Sequence, residues 1–364
     1  MATSLKQLPW ESCLFEPRRN REFESWLKRE VGSAPGWTRY LDSSRWFAKA
    51  MTRFQFDQRL VPALDGELPM RVMLVVSQEN SCRYCYAMLR MMLRLFGVSE
   101  ARMQELEQHL ADSRELSPRL LAAVRFTRIV NRGNPLHGSA EREALAQTAF
   151  SADEIKQLAF LVVSMGMMNR FCTAVALAPQ FVESMSSHWL LGIIHPLASR
   201  LLQHLPKPRL PSASAQQVLP RFPALVDVYA GSPIARLLED TLADMWLSQT
   251  LGPRDKLLII ATITQGIHCN MCRAEVTRLA AAEGLEAEAL FTAIAHLDSA
   301  ALTEKERVML EFARESLWYQ PQKLQLRAQA LHRMVGTSVF VEMLGVVIIA
   351  NMFTRLAATM VDAR

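Results

Sequence analysis

The sequence predicts an all-α fold of two tandem helical bundle modules, and three observations carry that expectation. Ala, Leu, Met, Arg and Glu dominate the 364 residues while β-branched alternation is scarce, a composition suited to helices and poor in strand features. Several segments open with Ser or Thr and continue with apolar spacings near three and four, the pattern of capped amphipathic helices. Sequence features also recur at a slowly drifting offset. Setting Cys82 on Cys269 gives an offset of 187, which also pairs Gln78 with Gln265, Gly97 with Gly284 and His109 with His296. One gap makes the offset 186 and pairs Phe126 with Phe312 and Arg128 with Arg314; a second makes it 185 and pairs Arg170 with Arg355. Such a drift is the mark of a duplicated unit, larger than a solenoid repeat.

Taken in order, residues 1–35 lie outside the repeat and carry Trp10 and Trp26 among many charges, as an extension whose aromatics pack on the body. The first module is expected over 36–204. Within it the apolar run 72–76 should end a helix near Gln78, and a new helix should begin at Cys82 and run through 86–96. Helices follow over 99–110, 117–130 and 151–165, each opened by serine. The segment 205–223 holds prolines at 206, 208, 211, 220 and 223 and resists both helix and sheet, so it is the expected linker. The second module, 224–364, repeats the scheme: an apolar run 257–263, a helix from Cys269 through 273–281, and a helix 303–318 with Glu306 in the capping-box position.

Composition excludes several classes. Half the residues are apolar and 21% charged, too hydrophobic for a disordered chain. The net charge of +5 is spread among acids rather than gathered into a block, so no nucleic acid partner is expected. The most apolar stretches, 158–168 and 339–353, are too short for a membrane span or carry Glu342, so no transmembrane helix is expected. The first fourteen residues contain Lys6 and Glu11 and no continuous apolar core, unlike a secretory signal, which leads to a cytoplasmic expectation.

Four of the six cysteines form two tight pairs, Cys82 with Cys85 and Cys269 with Cys272. A thiol at a helix N-terminus meets unsatisfied amides and the positive end of the helix dipole, which stabilise a thiolate. Three-residue spacing sets the second sulfur over the same turn, so a disulfide can form and open without unfolding. Structural thiols remain the alternative to redox chemistry. A zinc site is disfavoured because the pairs are far apart in sequence and neither has a second pair nearby. The sequence points to no cofactor and no metal.

An apolar helix, a Cys-x-x-Cys pair and another helix, followed by Asn169-Arg170 or by Asn351 to Arg355, resembles the carboxymuconolactone decarboxylase and alkylhydroperoxidase D superfamily. The resemblance covers nearly the whole chain from about residue 36. It implies all-α modules that form a homo-oligomer and a thiol-dependent oxidoreductase acting on a small hydroperoxide or disulfide, with a protein dithiol as reductant. It also implies that the second cysteine of each pair attacks and the first resolves. The decarboxylase branch does not use the cysteine pair. Active peroxidases of the group carry a His four residues after the second cysteine and a Glu twelve before the first. Here those positions hold Leu89 and Val276, and Met70 and Leu257. A non-catalytic scaffold or small-molecule binding protein is therefore the alternative function.

Replacement groups exist beside each pair. Glu79 could serve as a local base for Cys82 or act as a capping carboxylate, and His268 adjoins Cys269. The pair His109 and His296 is read as shared packing, Arg170 and Arg355 as ion pairs with a buried carboxylate, and Tyr84 and Tyr86 as core aromatics beside Cys85. Cys13 and Cys172 are expected to be ordinary thiols outside the paired sites.

Overall fold

The computed structural model describes residues 5–64, 66–111, 116–186, 188–191, 193–194, 200, 207–211 and 222–361, with side chains at 106 and 108–111 outside that description. His109 and most of the expected linker 205–223 thus lie outside the described residues and side chains. Among the described residues the chain is all-α, with sixteen helices and no strand.

The first half carries α1 Arg21–Val31, α2 Arg45–Arg53, α3 Leu68–Glu79, α4 Arg83–Leu95, α5 Glu100–Ala111, α6 Pro118–Arg132, α7 Ser139–Gln147, α8 Ala152–Ala174 and α9 Gln180–Ser186. The second carries α10 Pro223–Val228, α11 Pro233–Leu247, α12 Pro253–Ile267, α13 Asn270–Ala282, α14 Ala287–Ala295, α15 Glu304–Trp318 and α16 Pro321–Met360. The helix starts follow their caps. Ser117 Oγ accepts from Leu120 N, while Ser151 with Glu154 and Thr303 with Glu306 each close a full capping box. The helix expected over 151–165 continues to Ala174, because α8 is buried on almost every side and loses the periodicity that would mark its end.

α8 and α16 pack against each other at the centre. α3 and α6 line α8, and α12 and α15 line α16. By length and composition α16 would suffice to cross a membrane, yet 67% of its apolar window is buried inside the protein. Gly336, at φ 75°, breaks it into two limbs, and the second limb from Phe340 to Thr359 is buried throughout. At Gly345 an added Cβ would lie 2.8 Å from Phe47 Cγ and 3.0 Å from Trp46 Cζ2, so glycine lets α2 approach this limb. One turn earlier the buried Glu342 accepts from Ser44 Oγ at 2.7 Å and Trp46 Nε1 at 2.8 Å. Lys49 and Arg53 of α2 pair with Asp240 of α11, and Lys49 also reaches Asp244, joining the two halves.

The N-terminal extension packs as expected. Asn20 caps α1, whose Phe23, Leu27 and Val31 enter the core. Ahead of it, Trp10 Nε1 donates to Leu177 O at 3.1 Å and Leu14 N to Val175 O at 3.0 Å, so the extension lies along the chain that leaves α8.

Candidate functional site

Each cysteine pair opens a helix, for local reasons that are the same twice. α3 ends at Glu79; Ser81 turns through a left-handed conformation at φ 49°, Cys82 N donates to Ser77 O at 3.0 Å, and Cys82 is the N-cap of α4. α12 ends at Ile267; His268 turns at φ 62°, Cys269 N donates to Thr264 O at 3.3 Å, and Cys269 is the N-cap of α13. The second cysteine then falls in the first turn. Cys272 N donates to Cys269 Sγ at 3.3 Å.

The two sites differ in state and surroundings. Cys269 and Cys272 are joined as a disulfide with Cα atoms 5.3 Å apart. Cys82 and Cys85 are free thiols at 0% and 3% exposure. A third thiol stands with them. Cys172, on the last turn of α8, is buried and near enough to Cys82 and Cys85 to shift the ionisation of both. The expectation that Cys172 lies apart from the paired thiols is therefore corrected: packing of α8 against α4 brings it in from far along the chain.

Thr173, the next residue, hydrogen-bonds Cys82, and its Oγ1 lies 2.7 Å from the Tyr319 hydroxyl. Tyr319 is the C-cap of α15, so a hydroxyl from the second half completes the first site. Burial pushes the Cys82 thiol up, but the Cys172, Cys85 and Thr173 groups beside it outweigh burial and bring the thiol well below its usual value. Burial and the neighbouring sulfurs push Cys85 well above it. Burial, with the nearby thiols adding to it, holds the Tyr319 phenol protonated.

The other candidates fall elsewhere. The relay positions are apolar in place as in sequence: Leu89, Val276 and Leu257 are buried and Met70 packs against the core. The Glu79 carboxylate is taken by Arg128 at 2.8 Å, and its backbone carbonyl by Arg132 at 2.8 Å. His268 and His296 are exposed. Tyr84 packs near the thiols, and Tyr86 hydrogen-bonds Glu107. Cys13 contacts Tyr40 Oη at 3.8 Å.

The ion pairs expected for Arg170 and Arg355 are not formed; neither has a carboxylate partner among the described residues. Arg170 donates to Ser316 O and Gly166 O, and Arg355 to Val130 O and Gly133 O. Both therefore serve carbonyls at the C-terminal ends of α15 and α6, where the helix dipole favours a cation. Burial brings the Arg170 guanidinium down to about 10.

Beneath the first pair lies a buried amide network that no local pattern marks. Asn80 Nδ2 donates to Asn131 Oδ1 at 3.0 Å and to Asn169 Oδ1 at 3.1 Å, and Asn131 Nδ2 returns a bond to Asn80 Oδ1 at 3.1 Å. Asn169 also reaches Ser77 Oγ at 3.4 Å. Carried along by the offsets of 187, 186 and 185, these positions fall on Ile267, Leu317 and Thr354, so the second half packs apolar groups at two of the three.

Fold and site together define an all-α protein with Cys-x-x-Cys pairs set at helix N-termini. Residues 46–128, which hold α2 to α6 apart from its last turn and the first cysteine pair, match the model of the carboxymuconolactone decarboxylase family. That match supports an alkylhydroperoxidase D-like superfamily for this stretch and does not extend to the second cysteine pair. No curated protein and no solved structure matches the chain.

Proposed function

We propose that the chain is a thiol-dependent oxidoreductase made of two alkylhydroperoxidase D-like modules, 36–204 and 224–364, with its chemistry at the first cysteine pair. Cys82 is the attacking thiol and Cys85 resolves it, the reverse of the roles that the superfamily resemblance implies. The observation that carries this reading is the position of Cys82 as N-cap of α4, where its buried thiol is brought below its usual value by the Cys172, Cys85 and Thr173 groups beside it. A thiolate so held attacks a peroxide oxygen; the O–O bond breaks and the alkoxide leaves, taking a proton. With Leu89 and Met70 at the usual relay positions, Thr173 and Tyr319 are the hydroxyls placed to deliver that proton. The Cys85 thiol then attacks the Cys82 sulfenic acid, giving a disulfide and water, and an external protein dithiol reduces it.

Full burial of Cys82 selects small hydroperoxides, reached by local opening of the loop. Ala357 and Ala358 fall where Cys172 and Thr173 stand in the first half, so the second pair lacks those donors and supports a structural disulfide. One observation favours the non-catalytic reading instead, a small recess of about 80 Å³ lined by Phe54, Met73, Phe160 and Met168, which suits an apolar ligand.

The test is a free-thiol count by mass spectrometry after alkylation, before and after a stoichiometric hydroperoxide pulse and again after a dithiol reductant. Reversible loss of two thiols at the first site is expected. Thiols that stay fully alkylatable would leave the binding or scaffold reading in its place. A second expectation concerns the hydroxyls. Thr173→Val keeps the side-chain volume and removes one hydrogen bond to a charged sulfur, worth about 1.5–3 kcal/mol. It should raise the pH at which Cys82 ionises by roughly one pH unit or more, read from thiolate ultraviolet absorbance. Activity should shift the same way, toward higher pH, since the thiolate is the reactive form.

A further inference from the structure

We propose that the recess between the end of α2 and the middle of α8 binds a small neutral molecule with an apolar body and one hydroxyl, an alcohol or phenol, and that Ser164 recognises that hydroxyl. The site is separate from the thiols: Ser164 precedes Cys172 on α8 by about two turns, or about 12 Å along the axis. Its walls are apolar. Phe54 and Phe160 pack with ring centroids 5.8 Å apart, and Leu161, Met73, Met165 and Met168 extend the lining. The segment after α2 closes the other side and is held in place. Leu60 N donates to Asp57 O at 2.9 Å, Leu64 N to Val61 O at 3.1 Å, and Ala63 N to Gln157 Oε1 of α8 at 2.7 Å. A pocket built on fixed elements spends little of its binding energy on ordering itself.

Ser164 sets the chemistry of the ligand. It is 6% exposed and lines the recess, yet its hydroxyl has no partner among the described residues. Thr52, Thr262 and Thr359 satisfy theirs on the carbonyl four residues earlier, at 2.7–2.8 Å; Ser164 leaves that bond unmade. Thr127, Thr264 and Thr354 also lack a partner, but of these residues only Ser164 lines the recess. A ligand hydroxyl can both give and take the missing bond. Asp57 decides against anions. Its carboxylate stands on the wall, held from outside the recess by Arg59, whose Nε donates to Oδ2 at 2.8 Å and whose backbone N donates to Oδ1 at 2.9 Å. It repels a ligand carboxylate or phosphate and leaves neutral molecules. Size follows from volume. At about 80 Å³ the recess is roughly half the apolar cavity that takes benzene, and the unbranched side chains of three methionines can widen it, so one ring fits. By the offset of 185, Ser164 falls on the buried Ile349 and Met168 on Phe353, so the site belongs to the first half alone.

The experiment titrates the full chain, carbon-13 labelled at its methionine methyls, with phenol, with toluene, which puts a methyl where phenol has its hydroxyl, and with benzoate, which puts an anion there. Met73→Leu, Met165→Leu and Met168→Leu assign the three lining methyls. Phenol is expected to shift those resonances to saturation with Kd on the order of 1 mM or tighter. It should bind at least as tightly as toluene, although its hydroxyl must leave water, and benzoate should not saturate. Ser164→Ala should lower the phenol-to-toluene affinity ratio by about threefold to tenfold. Failure of phenol to saturate the lining methyls, or tighter binding of toluene than of phenol, would overturn the proposal. Benzoate binding as tightly as phenol, or a ratio unchanged in Ser164→Ala, would overturn it as well. The wild-type series decides the matter even where a variant fails to fold. No oxidant enters the titration, so its outcome is independent of whether hydroperoxide consumes the thiols at Cys82.

Discussion

Cys82→Ser should abolish the lowest-pH step in the thiolate absorbance titration, while the Cys85 and Cys172 thiols, both pushed up by burial, ionise well above it. Cys85→Ser should leave that step in place. The expectation follows from position: Cys82 is the N-cap of α4 and has the Cys172, Cys85 and Thr173 groups favouring its thiolate, whereas burial and the neighbouring sulfurs push Cys85 up. A serine at 85 retains a donor, so the Cys82 thiolate keeps most of its support. Sulfenic acid formation by a small hydroperoxide at neutral pH should fall on the order of a hundredfold or more in Cys82→Ser, because a serine hydroxyl is not ionised there. If Cys85→Ser instead removed the low-pH step, the roles implied by the superfamily resemblance would be restored. Absorbance serves better than alkylation for the ionisation itself, since a sulfur at 0% exposure meets a bulky reagent only when the loop opens.

Asn80→Leu should cost about 2–4 kcal/mol in urea denaturation. The side chain makes the central bonds of the amide network, and its loss strands the Asn131 and Asn169 amides in the core, at about 1–3 kcal/mol for each buried group left without a partner. The same change acts on the site. Asn80 is the C-cap of α3 and lies two residues before Cys82, so the variant should also speed alkylation of Cys82 by loosening the loop that covers it. A stability change below about 0.5 kcal/mol would mean that water replaces the lost bonds.

The parts of this architecture that were legible in sequence are those with local causes. A capping serine or threonine, an acid three residues on, and a cysteine between two apolar runs each act within one turn, and α6, α8 and α15 begin where those residues place them. The helix breaks ahead of Cys82 and Cys269 are of the same kind. Cys172, Thr173, Tyr319 and Asn131 were not legible, because they join the site only when α6, α8 and the end of α15 pack on α3 and α4. An isolated cysteine in an apolar helix carries no mark that separates a core thiol from one beside a reactive pair. Arg170 and Arg355 were recognised as notable residues but given the wrong partner. A buried guanidinium needs acceptors, and here carbonyls at helix ends supply them while the buried carboxylate Glu342 is satisfied by Ser44 and Trp46.

The hydroxyl of Tyr319 crosses from one half of the chain to meet Thr173 in the other, and in the opposite direction Leu136 N donates to Ile267 O at 3.1 Å beside the second pair. A chain trimmed to the first half would keep Cys82, Cys85, Cys172 and Thr173 and lose the hydroxyl that meets Thr173, so the surroundings of the first cysteine pair depend on residues far beyond the segment that carries it.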